Sequence, residues 1–144
     1  MYDYHYIIAS IVLLYAAVID IRYMSLARHK EVYVALLLLS IPTLIGGWPL
    51  VLLAYSLISV SMYVYFMSRY AGMGGADGKI YIILSVIYPI SVVIIILFSS
   101  IMAVIYSVYR WGIHGLWGQR KVEVPFIPFI AGGSMILNTF LWLV

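Results

Sequence analysis

A chain of 144 residues that is 66% hydrophobic and 9% charged, with a mean hydropathy of +1.12, carries more apolar surface than a soluble domain of its size can bury. The bilayer must serve as its solvent, and continuous apolar runs such as Ile90 to Val108 exclude a β-barrel, whose strands alternate apolar with polar residues. With no cysteine there is no disulfide, thiolate ligand or cysteine nucleophile. The net charge of +3 is that of ordinary cytoplasmic flanks rather than of a nucleic-acid surface.

The expected fold class is an all-α integral membrane protein. Its first apolar run, about 4 to 21, opens on Tyr2, Asp3 and Tyr4 and ends at Asp20 without a basic leader or a small-residue cleavage site, so it reads as a mature helix and not a secretory signal. A second helix, 31 to 45, is kinked near its end by Pro42 and closes in the turn Gly46-Gly47-Trp48-Pro49. A third spans about 50 to 68. The stretch from Ile80 to Tyr109 is either one long tilted helix or two helices turning near Pro89, and the basic residues decide between them. All eight Lys and Arg fall into three segments: Arg22, Arg28 and Lys30; Arg69 and Lys79; Arg110, Arg120 and Lys121. A single crossing would put the third cluster opposite the other two, against the positive-inside bias, whereas two crossings put all three inside. With a last helix at about 126 to 143, the expectation is a polytopic bundle of six transmembrane helices with both termini outside. The fourth, about 78 to 88, is too short to cross unless tilt or thinning helps. No linker, low-complexity tract or repeat divides residues 1–144, which read as a single transmembrane domain.

Of the five acids, Asp3, Glu31 and Glu123 lie in termini or polar flanks where solvation explains them. Asp20 instead ends an apolar run, at a depth where charge is costly and suggests function, although a helix-end charge paired with Arg22 would also account for it. Asp77 lies in Gly72-Met73-Gly74-Gly75-Ala76-Asp77-Gly78-Lys79, the most glycine-dense segment of the chain. An N-cap would explain Asp77 but not the glycines, which fit a tightly folded loop that holds the acid close to another element. Neither a phosphate loop nor a dinucleotide fingerprint fits the spacing, because Met73, Asp77 and Ile80 occupy positions those motifs require to be otherwise. The histidines His5, His29 and His114 have no metal-ligand spacing, and the serines lack a base at helical spacing. Asp20 and Asp77 are expected at one cytoplasmic edge, where two carboxylates sharing a site share a proton, one acting as base on a water; this is aspartic-protease chemistry.

Asp20-Ile21-Arg22 at the end of the first helix, Gly74-Gly75-Ala76-Asp77, and the segment Val124-Pro125-Phe126-Ile127-Pro128-Phe129-Ile130-Ala131-Gly132-Gly133 opening the last helix resemble, in that order, the motifs of the type IV prepilin and preflagellin peptidases. These are membrane aspartic proteases with a Gly-x-Gly-Asp type motif and six transmembrane helices. Ala76 replaces the second glycine of the strict motif, and Ala27-Arg28 stands where many members have Pro-Asn. The cysteine-rich methyltransferase region of the long bacterial members is absent, so the chain resembles the short form. The resemblance implies a leader peptidase of the cytoplasmic membrane that removes a short basic leader from pilin-like or archaellin precursors at the cytoplasmic face. Asp20 and Asp77 would be catalytic, supported by Gly74, Gly75, Ala76 and Gly78, with no metal or organic cofactor required and with precursor proteins and membrane lipids as partners. The rival reading is a small proton- or cation-coupled transporter using the same two acids, which would place them near the midplane.

Overall fold

A computed structural model describes residues 4–23, 30–70, 75–112 and 126–143. Gly74, Pro125 and the segments bearing Arg28, Arg120 and Lys121 lie outside the described residues. Six helices follow one another: α1 Tyr4–Tyr23, α2 Lys30–Ile45, α3 Leu50–Tyr70, α4 Gly75–Ile87, α5 Val92–Trp111 and α6 Ile127–Leu143. Three of them, α1, α3 and α5, are long and apolar enough to cross a membrane. Large apolar side chains such as Leu50, Val51, Leu97 and Leu143 stand fully outward, a surface that hydrocarbon tolerates and water does not. The chain is a membrane protein.

Each helix buries a stripe at helical spacing. On α1 the stripe is Ala9, Leu13, Ala16 and Ala17, and its small members let α2 and α6 approach closely. On α2 it is Val32, Leu36, Ser40 and Thr43, facing α1 and α4. Pro42 sits inside α2 without ending it. Its carbonyl accepts the Gly46 N–H at 2.8 Å, and the chain reverses through Gly47, whose positive φ of 81° a side chain would resist.

The stretch after Ile80 is two helices, with α4 ending at Ile87 and a turn at Tyr88 and Pro89. Ile90 turns the corner at φ 66°, a strained conformation for a β-branched residue, and the Val92 N–H reaches back to the Tyr88 carbonyl at 3.0 Å. At 13 residues α4 is shorter than a bilayer crossing requires, but it is the most enclosed helix: Ile80, Tyr81, Leu84 and Ile87 are all fully buried, and α2, α3 and α5 pack around it. Its neighbours are protein on most sides, so its backbone and side chains are largely screened from any surrounding lipid. Two glycines permit close approaches between helices. A Cβ at Gly78 would lie 2.6 Å from Val64 Cγ1 on α3, and one at Gly133 on α6 would lie 3.3 Å from the Ile95 carbonyl oxygen on α5.

Contacts between the helices fix their relative directions. Thr43 Oγ1 on α2 bonds the Ile87 carbonyl at the end of α4, and the Tyr88 hydroxyl reaches the Tyr6 carbonyl at the start of α1. The N-terminal ends of α2 and α4 therefore share one end of the bundle with the C-terminal end of α1. The closing turns of α3 and α5, carrying Arg69 and Arg110, lie at that same end. Arg22, Lys30 and Lys79 join them there, so every described Lys and Arg lies at one end.

Candidate active site

Asp20 lies in the last turn of α1, three and four residues beyond Ala17 and Ala16, so the buried stripe of that helix ends in a carboxylate. The carboxylate faces the start of α6, where the backbone N–H of Ile127 lies against it. The first amides of a helix have no intrahelical partner and form the positive end of its dipole, a seat complementary to a carboxylate oxygen. Its other oxygen, Oδ2, is buried without a hydrogen-bond partner among the described residues. Pairing of Asp20 with Arg22 does not occur: Arg22 is exposed, and residues two apart on a helix point away from each other.

Asp77 is the third residue of α4, within its first turn, so the N-cap reading gives way to a position inside the helix. Gly75 and Ala76 already belong to that helix, and the tightly folded loop expected around Asp77 is helical from Gly75 onward. Asp77 occupies the same face as Ile80 and Tyr81, three and four residues along, which are both fully buried. Gly78 brings this first turn against Val64.

The two acids lie at the same end of the bundle, and the charge of Asp20 reaches Asp77. A third group joins them. Tyr33, in the first turns of α2, is close enough for its phenol to feel both carboxylates, and its hydroxyl is buried with no hydrogen-bond partner among the described residues. The Lys79 ammonium lies 6.0 Å from the centre of the Tyr33 ring, at the edge of cation–π range. Leaving a buried polar group unpaired costs about 1–3 kcal/mol, so two such groups in one place require a reason.

The start of α6 forms the remaining wall. The Phe126 ring meets the edge of Tyr81 at 6.1 Å between centroids, and Tyr81 is anchored to α5 by a hydrogen bond between its hydroxyl and Ser99 Oγ. Adjacent residues 126 and 127 thus touch the helix of Asp77 and the carboxylate of Asp20 respectively. Sequence reasoning picked out this segment by its prolines but did not assign Ile127 a place beside Asp20. Tyr33 it missed altogether, since one tyrosine among 14 in a membrane chain reads as part of an interfacial belt.

Polar groups at the opposite end of the bundle are paired. Asn138 Nδ2 donates to Ser10 Oγ at 2.6 Å and to the Tyr6 carbonyl at 3.0 Å, while the Tyr88 hydroxyl donates to Asn138 Oδ1 at 3.2 Å or to the Tyr6 carbonyl at 3.1 Å. Ser134 Oγ donates to the Ala131 carbonyl at 2.8 Å and lies 3.2 Å from Ser10 Oγ.

A family model for the type IV leader peptidase family matches residues 7–108, a span containing Asp20, Tyr33 and Asp77 and ending before α6. No curated protein and no solved structure matches the chain.

Proposed function

The chain belongs to the type IV leader peptidase family, proteases that act on precursor proteins, and from that premise we propose that it is a membrane aspartic endopeptidase whose catalytic pair is Asp20 and Asp77. The observation that carries this reading is that two acids from distant points of the sequence lie at one end of the bundle, with the charge of Asp20 reaching Asp77. One carboxylate takes a proton from water, whose oxygen attacks the carbonyl carbon of the scissile peptide. The other, protonated, donates to the carbonyl oxygen. The tetrahedral intermediate then collapses, the C–N bond breaks, and the leaving amine takes up a proton from the pair. Which acid starts as the base is left open in this scheme, because the pair titrates as a unit.

Every described Lys and Arg lies at the end that holds the aspartates. By the positive-inside bias that end faces the cytoplasm, with both termini outside and six crossings or partial crossings between. The substrate is then a pilin-like or archaellin precursor whose apolar helix lies in the bilayer and whose short basic leader emerges at the depth of Asp20 and Asp77. The transporter reading draws no support from the positions of the acids, which occupy a last and a first helical turn rather than mid-helix positions.

Co-expression with a precursor bearing a basic leader and an apolar helix tests the proposal. The unmodified chain shortens the precursor, and Asp20→Asn and Asp77→Asn leave it full length. Cleavage that persists in both variants would contradict the paired-aspartate mechanism.

A further inference from the structure

We propose that Tyr33 is a further catalytic residue, whose phenol O–H donates a hydrogen bond to the carbonyl oxygen of the scissile peptide as that oxygen gains negative charge. The inference rests on the protease reading above.

Tyr33 belongs to the buried side of α2: Leu36 and Ser40, three and seven residues on, are both buried, and the ring packs against the hydrophobic core. The backbone therefore holds the side chain at the aspartate end, where its phenol lies within the electrostatic reach of both Asp77 and Asp20. Among the described residues, buried side-chain oxygens without a partner occur at Asp20 Oδ2 and Tyr33 Oη, and both belong to this one site.

The two orphans are complementary in kind. A carboxylate oxygen is an acceptor and a phenol is a donor, since phenols ordinarily titrate near 10. Peptide hydrolysis brings to the site one new donor, the attacking water, and one new acceptor, the carbonyl oxygen. Water satisfies Asp20 Oδ2, and the carbonyl satisfies Tyr33. A buried donor that is not engaged among the described residues needs no rearrangement of them when charge develops on that oxygen, which is the condition under which such donors are most effective.

In the bond changes, the proton of Tyr33 stays on its oxygen throughout. The carbonyl oxygen takes its proton from the acidic partner of the aspartate pair and receives only a hydrogen bond from the phenol. Lys79, over the ring at 6.0 Å, helps to hold the phenol in place from outside the reacting atoms.

The test is Tyr33→Phe in the full chain, which keeps the ring and removes one oxygen, assayed on the precursor in detergent micelles beside Asp20→Asn. The expected result is a kcat lower by about a hundredfold with KM within about twofold of the original. The melting temperature should be unchanged or higher, because no hydrogen bond among the described residues is lost. An unchanged kcat in Tyr33→Phe beside an inactive Asp20→Asn would overturn the role of Tyr33 and leave the aspartate pair standing. A lowered melting temperature, or a loss confined to KM, would also overturn it, assigning the phenol to packing or to binding. Activity retained by Asp20→Asn would instead overturn the protease mechanism on which the proposal rests.

Discussion

The two ends of the bundle treat buried polar groups in opposite ways. At one end, Ser10, Ser134, Asn138 and Tyr88 tie α1, α6 and the turn after α4 into a chain of hydrogen bonds. At the other, Asp20 Oδ2 and the Tyr33 hydroxyl are buried without partners among the described residues, although they share a site with Asp77. Paired groups repay their desolvation within the fold, and unpaired ones do so only when something else arrives. The contrast separates a cluster that holds helices together from the proposed catalytic one, and it does so without reference to any motif.

Substitutions at the two ends should therefore fail in different currencies. The largest effect is expected at the unpaired end, where Asp20→Asn or Asp77→Asn lowers the rate of precursor cleavage by roughly a thousandfold or more while the helical circular dichroism is unchanged. Next is Asn138→Leu. It removes the three bonds that join Asn138 to Ser10, Tyr88 and the Tyr6 carbonyl and should destabilise the bundle by about 2–3 kcal/mol in a denaturant titration, with the rate per folded molecule preserved. Gly78→Ala tests the boundary between the two behaviours, because its methyl meets Val64 Cγ1 at 2.6 Å in the turn that carries Asp77. A cost of about 1–2 kcal/mol is expected, accompanied by reduced cleavage, and a second change of Val64→Ala should restore both. The smallest is Ser134→Ala, at about 1 kcal/mol and with no effect on rate, since Ser10 keeps its bond from Asn138.

Much of this was legible beforehand. Apolar runs and the confinement of Lys and Arg to three segments predicted six helices, including the break near Pro89 that hydropathy alone left open. Asp20 and Asp77 stood out because a carboxylate ending an apolar run and a carboxylate among glycines are both unusual. What the sequence did not reveal depends on packing between helices. Whether α4 needs lipid of a particular thickness turns on the helices around it, and whether Asp77 caps a helix or lies inside one turns on where that helix begins. Arg22 reads as a partner for Asp20 in sequence, yet the two point to different sides of α1. Tyr33 could not be told from the other tyrosines, because its importance comes from meeting Asp77 of α4 and Asp20 of α1, and no feature of residues 30 to 36 reports that meeting. The amide of Ile127 was similarly invisible, since a backbone N–H carries no residue signature.

The central claim, that one polar cluster works and the other holds, is tested most directly by measuring cleavage rate and melting temperature together for Asp77→Asn and Asn138→Leu in the same micelles. The account predicts a crossed result: Asp77→Asn loses cleavage and keeps or raises its melting temperature, while Asn138→Leu loses melting temperature and keeps its rate per folded molecule. If Asp77→Asn retained cleavage, or lost it only in proportion to lost folding, the account would be contradicted.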